Sequence, residues 1–113
     1  MRVLVSGGKG FNDHLVFRRA MGVVMSEMGV DTELTLMLAG PHVVNDIARQ
    51  FVNLTEDSFK GRGKKINYVH VPPKDVPWED VDAVVSLVKP PQRNTVLGYQ
   101  AEERGLDVHV FRF

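Results

Sequence analysis

The sequence has 113 residues, of which 43% are hydrophobic and 25% charged, and a chain of this kind forms one ordered domain. Its 14 lysine and arginine residues equal its 14 aspartate and glutamate residues, so no net charge attracts nucleic acid or a membrane surface. The absence of cysteine excludes disulfides and thiolate chemistry, and it suits the reducing cytoplasm, where we expect the protein to be.

The first strand and helix are predicted at the start of the chain. Residues Arg2 to Ser6 form an aliphatic, β-branched run that glycine ends, which is typical of a buried strand and too short for a secretory signal or a membrane helix. Asn12 or Asp13 then caps a helix that we expect to reach Met28 and to stop at Gly29. Four residues at helical spacing would face the sheet: Phe17, Met21, Val24 and Met28.

A second strand and helix follow. Leu34 to Ala39 predicts the strand, and Pro41 opens a helix that we expect to fade near Asn53. The inward residues of that helix would be Val43, Val44, Ile47, Ala48, Phe51 and Val52. The polar, glycine-broken segment from Thr55 to Lys65 predicts a loop with at most one helical turn.

The rest of the chain predicts three strands and one helix: strands Ile66–Val71, Asp82–Val88 and Asp107–Phe113, and a helix capped by Asn94 or Thr95 that reaches Arg104. Three prolines between the third and fourth strands disfavour a full helix there and favour an extended or single-turn link, which can span about 30 Å. The order predicts an α/β, three-layer Rossmann-like fold with a five-stranded parallel sheet, strand order 3-2-1-4-5.

Ligands of such sheets bind beyond the carboxyl ends of the strands, and the first candidate loop lies there. Its candidate residues are Ser6, Gly7, Gly8, Lys9 and Asp13. Glycines allow the backbone to approach a ligand closely, and a helix N-terminus offers free N–H groups to an anion. The segment nearly forms a G-x-G-x-x-G fingerprint, but a tight turn without a ligand fits the same residues.

Two further loops are predicted at the same end of the sheet. In the second, Gly40 shapes the turn, and His42 and Asp46 would form one wall of a site. In the third, Arg93, Asn94 and Thr95 precede the last helix, where a cation and a helix N-terminus favour an anion. A solvent-exposed His42 and a well-capped helix without a ligand remain the alternatives. The histidines show no metal-ligand spacing, so no metal site is predicted.

The first loop also resembles a known family. The segment RVLVSGGKGFND resembles the start of YspA-like proteins in the SLOG superfamily, which includes the LOG phosphoribohydrolases and DprA/Smf. Gly7, Gly8, Phe11 and Asp13 match their "TGGRxFxD"-like segment. The family's "GGARGAD" segment keeps one glycine and the final aspartate here, and its "PGGRGT" segment keeps proline, arginine and threonine but no glycine. The resemblance implies a Rossmann-like fold and a nucleotide-derived or other phosphorylated ligand, such as an ADP-ribose-like molecule.

Resemblance to the LOG hydrolases implies a catalytic glutamate shortly after Thr95, but the residues that follow are Val-Leu-Gly. Glu102 and Glu103 come about 10 Å further along the helix, so we expect neither to reach the loop as an acid/base. The pattern therefore favours a binding protein that senses or sequesters its ligand over an enzyme.

Two other functions stay open. One is a weak nucleotide or nucleoside N-glycosidic hydrolase with Asp13 or Asp46 as the acid/base. The other is a protein-interaction module without a ligand, and such a compact, diverged form would suit a phage or mobile-element accessory protein. The methionines of the first helix, Met21, Met25 and Met28, are a candidate surface for a homodimer. Neither a nucleic-acid partner nor a membrane partner is expected.

Overall fold

The computed structural model describes residues 1–113 and contains five strands and three helices. The strands are β1 (Arg2–Gly7), β2 (Glu33–Leu38), β3 (Lys65–His70), β4 (Ala83–Val88) and β5 (Asp107–Arg112). The helices are α1 (His14–Ser26), α2 (His42–Gly61) and α3 (Val96–Glu103). None of the three combines the length and the apolar composition that crossing a membrane requires.

All strands are parallel and lie in the order β3-β2-β1-β4-β5, which confirms the predicted α/β fold and its strand order. The first two crossovers, through α1 and α2, add β2 and β3 on one side of β1. The next connection then passes back across β1 and starts β4 on its other side. The direction of winding therefore reverses between β1 and β4, where Val5 pairs with Val85 and Ser6 with Ser86. A crevice is expected beyond the carboxyl ends of these two strands.

The return from β3 to β4 has no full helix, as the prolines predict. It contains only a single 3₁₀ turn, Trp78–Asp80. The Trp78 ring packs on the smaller of the two hydrophobic clusters, and the Arg104 guanidinium lies 4.5 Å from its centre. This cation–π contact fastens the extended link to the end of α3.

Each face of the sheet has its own core. The larger cluster lies under α1 and α2, and the smaller lies under α3 and the link. Met21 and Met28 are buried in the larger cluster, and Met25 packs partly against it. These methionines therefore fill the core, and the suggestion that they present a surface to a second copy is wrong. Val43, expected to point inward, is half-exposed because it lies beside the buried stripe of α2.

Helix α2 is longer than the sequence prediction. It does not fade near Asn53 but continues to Gly61, through the segment predicted as a loop. Phe59 explains the difference: it is 8% exposed and packs in the larger cluster, two helical turns beyond Phe51 and Val52. The polar residues between them face solvent on the other side of an amphipathic helix, and a polar composition alone does not distinguish that face from a loop.

Candidate functional site

The glycines at the ends of β1 and β2 are explained by packing. A Cβ on Gly7 would lie 2.7 Å from Val44 Cγ2, and a Cβ on Gly40 would lie 3.0 Å from Val44 Cγ1. Both glycines therefore make room for the first turn of α2, which sits against the end of the sheet. A Cβ on Gly8 would make only ordinary van der Waals contacts, with Gln92 Oε1 and Leu87 O at 3.7 Å, and the Gly8 N–H donates to Leu87 O at 2.8 Å and extends the β1–β4 ladder.

From Gly10 onward, the loop between β1 and α1 packs against the core. Gly10 adopts a φ of 85°, a left-handed conformation that favours glycine, and Phe11 then enters the core with its ring 4.9 Å from that of Phe113. Lys9 is exposed at the turn. Asp13 caps α1 and accepts hydrogen bonds from Leu15 N at 3.0 Å and Val16 N at 3.2 Å. The N-terminus of α1 thus already holds a carboxylate.

Three hydroxyl groups meet where β1 and β4 end. Thr95 Oγ1 lies 2.6 Å from Ser6 Oγ and 3.1 Å from Ser86 Oγ, and both serines are buried. The same oxygen accepts the Gly98 N–H at 3.0 Å, which makes Thr95 the N-cap of α3. Of the two caps considered from the sequence, Thr95 is the one observed. These contacts form a hydroxyl cluster, Ser6–Ser86–Thr95, that ties the first loop to the third.

Asn94 is 6% exposed and makes two side-chain hydrogen bonds. Its Oδ1 accepts from Thr95 N, and its Nδ2 donates to Glu102 Oε1, each at 2.9 Å. The expectation that Glu102 lies beyond reach of the loop is therefore wrong. Helical side chains point toward the N-terminus of their helix, so Glu102 reaches back over the turn above Asn94.

A groove of about 330 Å³ opens beside this hydroxyl cluster, at the reversal point between β1 and β4. We call it the β1–β4 groove; its lining residues are Gly7, Gly8, Gln92, Arg93, Asn94, Thr95, Val96 and Tyr99. Arg93 is the single charged residue in this lining. The backbone N–H groups of Arg93, Asn94 and Val96 make no hydrogen bond within the chain. The residues that line the groove therefore include unpaired N–H donors and one positive charge, and no carboxylate.

The structure brings part of the predicted site together. Gly7, Gly8, Arg93, Asn94 and Thr95 line the groove, and Ser6 lies beneath it through its contact with Thr95. The other predicted residues, Lys9, Asp13, Gly40, His42 and Asp46, are absent from its lining.

His42 and Asp46, predicted to form a wall of the site, pair with each other instead. His42 Nε2 lies 3.1 Å from Asp46 Oδ2, and Arg49 contacts the other oxygen of the same carboxylate. The imidazole is 84% exposed, whereas Asp46 borders a separate shallow groove together with Arg49 and Tyr68. The wall predicted from the second loop therefore does not form here.

Three lining residues were missed from the sequence: Gln92, Val96 and Tyr99. Tyr99 is 48% exposed and lies on the first turn of α3 after its cap. Its position four residues after Thr95 is the one signal that would have placed it beside the loop. No cluster of three or more histidine, aspartate or glutamate side chains could hold a metal ion.

Comparisons of the chain with known protein families, with curated proteins and with solved structures found no match.

Proposed function

We propose that this protein binds a nucleotide-derived or other phosphorylated small molecule in the β1–β4 groove, as a sensor or sequestering protein. The observation that carries the proposal is the composition of the groove: Arg93 and unpaired backbone N–H groups, without an acidic side chain, at the reversal point of a parallel sheet. A phosphate accepts hydrogen bonds and carries negative charge, so it complements this lining.

The volume of the groove and the Tyr99 ring in its lining indicate what the ligand carries besides its phosphate. A volume of about 330 Å³ lies at the lower end of the range for small-molecule sites. The exposed ring of Tyr99 supplies a face on which a base or sugar can stack. The resemblance of the first loop to SLOG proteins favours a nucleotide derivative, and ADP-ribose is the first molecule to test.

Binding is favoured over hydrolysis by where the carboxylates lie. Cleavage of an N-glycosidic bond needs an acid/base beside the sugar. Asp13 is held by two backbone N–H groups at α1, and Asp46 is paired with His42 and Arg49; neither lines the groove. Position 98 has no room for a carboxylate, since even a Cβ there would clash with Asn94 and Ser86.

The experiment is titration calorimetry with ribose 5-phosphate, AMP, ADP-ribose and NAD, with chromatography of each mixture to detect products. Arg93→Ala should weaken binding about five- to tenfold, because a charge-assisted contact is lost. Lys64→Ala, at the opposite end of the sheet, is the matched charge control and should leave the Kd unchanged. Product formation would favour the hydrolase, and absence of binding to every compound would favour the interaction module.

A further inference from the structure

Glu102 has a contact that helix stability does not explain. It lies exposed in the last turn of α3, where a negative charge opposes the helix dipole. Glu103, beside it, has the same disadvantage. Only Glu102 accepts a hydrogen bond from a loop residue, and that residue is the buried Asn94.

The contact fixes the orientation of the Asn94 amide. An ionised carboxylate only accepts hydrogen bonds, so the Asn94 Nδ2 group must face Glu102. The amide oxygen then faces Thr95 N, from which it accepts a hydrogen bond at 2.9 Å. Beneath the amide lies Gly98, where any Cβ would clash with Asn94 Oδ1. Gly98 and Glu102 lie four residues apart on one stripe of α3, and Asn94 precedes its N-cap, so the two hydrogen bonds fix the orientation of the amide over that stripe.

From Asn94 the contacts continue into the β1–β4 groove. Asn94 and Thr95 both line it, and Arg93, its one cation, directly precedes Asn94 in the chain. Thr95 in turn contacts the buried Ser6 at the end of β1. Glu102 therefore reaches the groove wall through Asn94 without lining the groove itself.

We propose that Glu102 is a positioning residue for the β1–β4 groove, which holds the wall formed by Arg93, Asn94 and Thr95 through its hydrogen bond with Asn94. The role in ligand binding rests on the function proposed above. The role in holding the wall is independent of that function, because it concerns the protein without a ligand.

The wall is tested first, in the ligand-free protein. Amide hydrogen exchange followed by NMR would report on Thr95 N–H, bonded to Asn94, and on Gly98 N–H, bonded to Thr95. We expect Glu102→Ala to accelerate exchange of both amides about three- to tenfold, since one hydrogen bond that orders the loop is lost. Glu102→Gln keeps an oxygen acceptor of the same reach and should restore slow exchange.

The matched control is Glu103→Ala, which removes an equivalent carboxylate from the same helical turn. Both alanine variants relieve the helix dipole equally, so a difference between them isolates the contact with Asn94. Equal exchange of Thr95 and Gly98 in the two alanine variants and in the original protein would overturn the proposal.

Ligand binding is then measured by calorimetry with ADP-ribose as the probe. We expect Glu102→Ala to raise the Kd about three- to tenfold, Glu102→Gln to stay within about twofold, and Glu103→Ala to leave it unchanged. An unchanged Kd in Glu102→Ala, with the original protein binding, would overturn the positioning role. If ADP-ribose does not bind the original protein but exchange still accelerates in Glu102→Ala alone, the proposed ligand fails and the restraint of the wall by Glu102 is supported.

Discussion

Ser6 Oγ and Thr95 Oγ1 lie 2.6 Å apart, and this contact joins the carboxyl end of β1 to the start of α3. The two residues are far apart in sequence, and they meet because β1 and β4 are neighbours at the reversal point of the sheet. Ser86 completes the hydroxyl cluster at 3.1 Å from Thr95. The glycine turn after β1 and the loop before α3 are therefore parts of one structure, on which the β1–β4 groove rests.

The hydroxyl of Thr95 should contribute measurably to stability. Thr95→Val removes the N-cap of α3 and leaves the buried hydroxyls of Ser6 and Ser86 without their shared partner. We expect the free energy of unfolding, measured by urea denaturation, to fall by about 2 kcal/mol. Thr95→Ser keeps the oxygen and should lose less than half of that amount. Equal stability of the valine variant and the original protein would contradict the role of the cluster.

Replacing Gly98 with alanine should destabilise the protein, although a glycine-to-alanine change normally stabilises a helix. Alanine exceeds glycine in helix propensity by about 1 kcal/mol, yet a Cβ at position 98 would clash with Asn94 Oδ1 and Ser86 Oγ. We expect Gly98→Ala to lower the free energy of unfolding by about 1–3 kcal/mol, as overpacking does. Gly22→Ala in α1 is the control, because its added Cβ would have no atom within 4 Å apart from the adjacent backbone of its own helix, and it should stabilise the protein. Stabilisation by both changes would contradict the tight contact at Gly98.

Phe59 should behave as a core residue of α2 and not as part of a loop. Because it is buried in the larger cluster, Phe59→Ala should lower the free energy of unfolding by about 3 kcal/mol. Leu54→Ala, on the same helix but 73% exposed, should change it by no more than about 0.5 kcal/mol. Similar small effects at both positions would mean that α2 ends before Phe59.

The sheet could be predicted because its signals are local. The first four strands are short apolar or alternating runs that end near a glycine or a proline, and parallel order follows from the alternation with helices. The end of α2 could not be predicted from composition, because Thr55 to Lys60 is polar except at Phe59. Only the burial of that single ring distinguishes a solvent-facing helix from a loop.

The loops of the candidate site could be predicted, since parallel strands end at one edge of the sheet, but their contacts could not. A glycine at position 7 fits a turn that binds a ligand as well as a turn that packs against a helix. Only the short distance from a Cβ at this position to Val44 distinguishes the two. The contact of Asn94 with Glu102 depends on the path of the loop and on side-chain reach. The spacing of residues in the sequence predicts neither the path of the loop nor the reach of the Glu102 side chain.

Asp13 should act as the cap of α1. Asp13→Ala removes the acceptor for the Leu15 and Val16 N–H groups and should lower the free energy of unfolding by about 1 kcal/mol. Asp13→Asn keeps an acceptor oxygen and should lose only the interaction of its charge with the helix dipole, about 0.5 kcal/mol.

The control for this cap is Asn12→Ala, because Asn12 is exposed and makes no hydrogen bond within the chain, so we expect a change within about 0.5 kcal/mol. A larger loss for Asn12→Ala than for Asp13→Ala in urea denaturation would move the cap, and the start of α1, one residue toward the glycine turn. It would also free the first N–H groups of α1 from the Asp13 carboxylate. An anion could then bind at α1, and the reason for placing the ligand beside α3 would weaken.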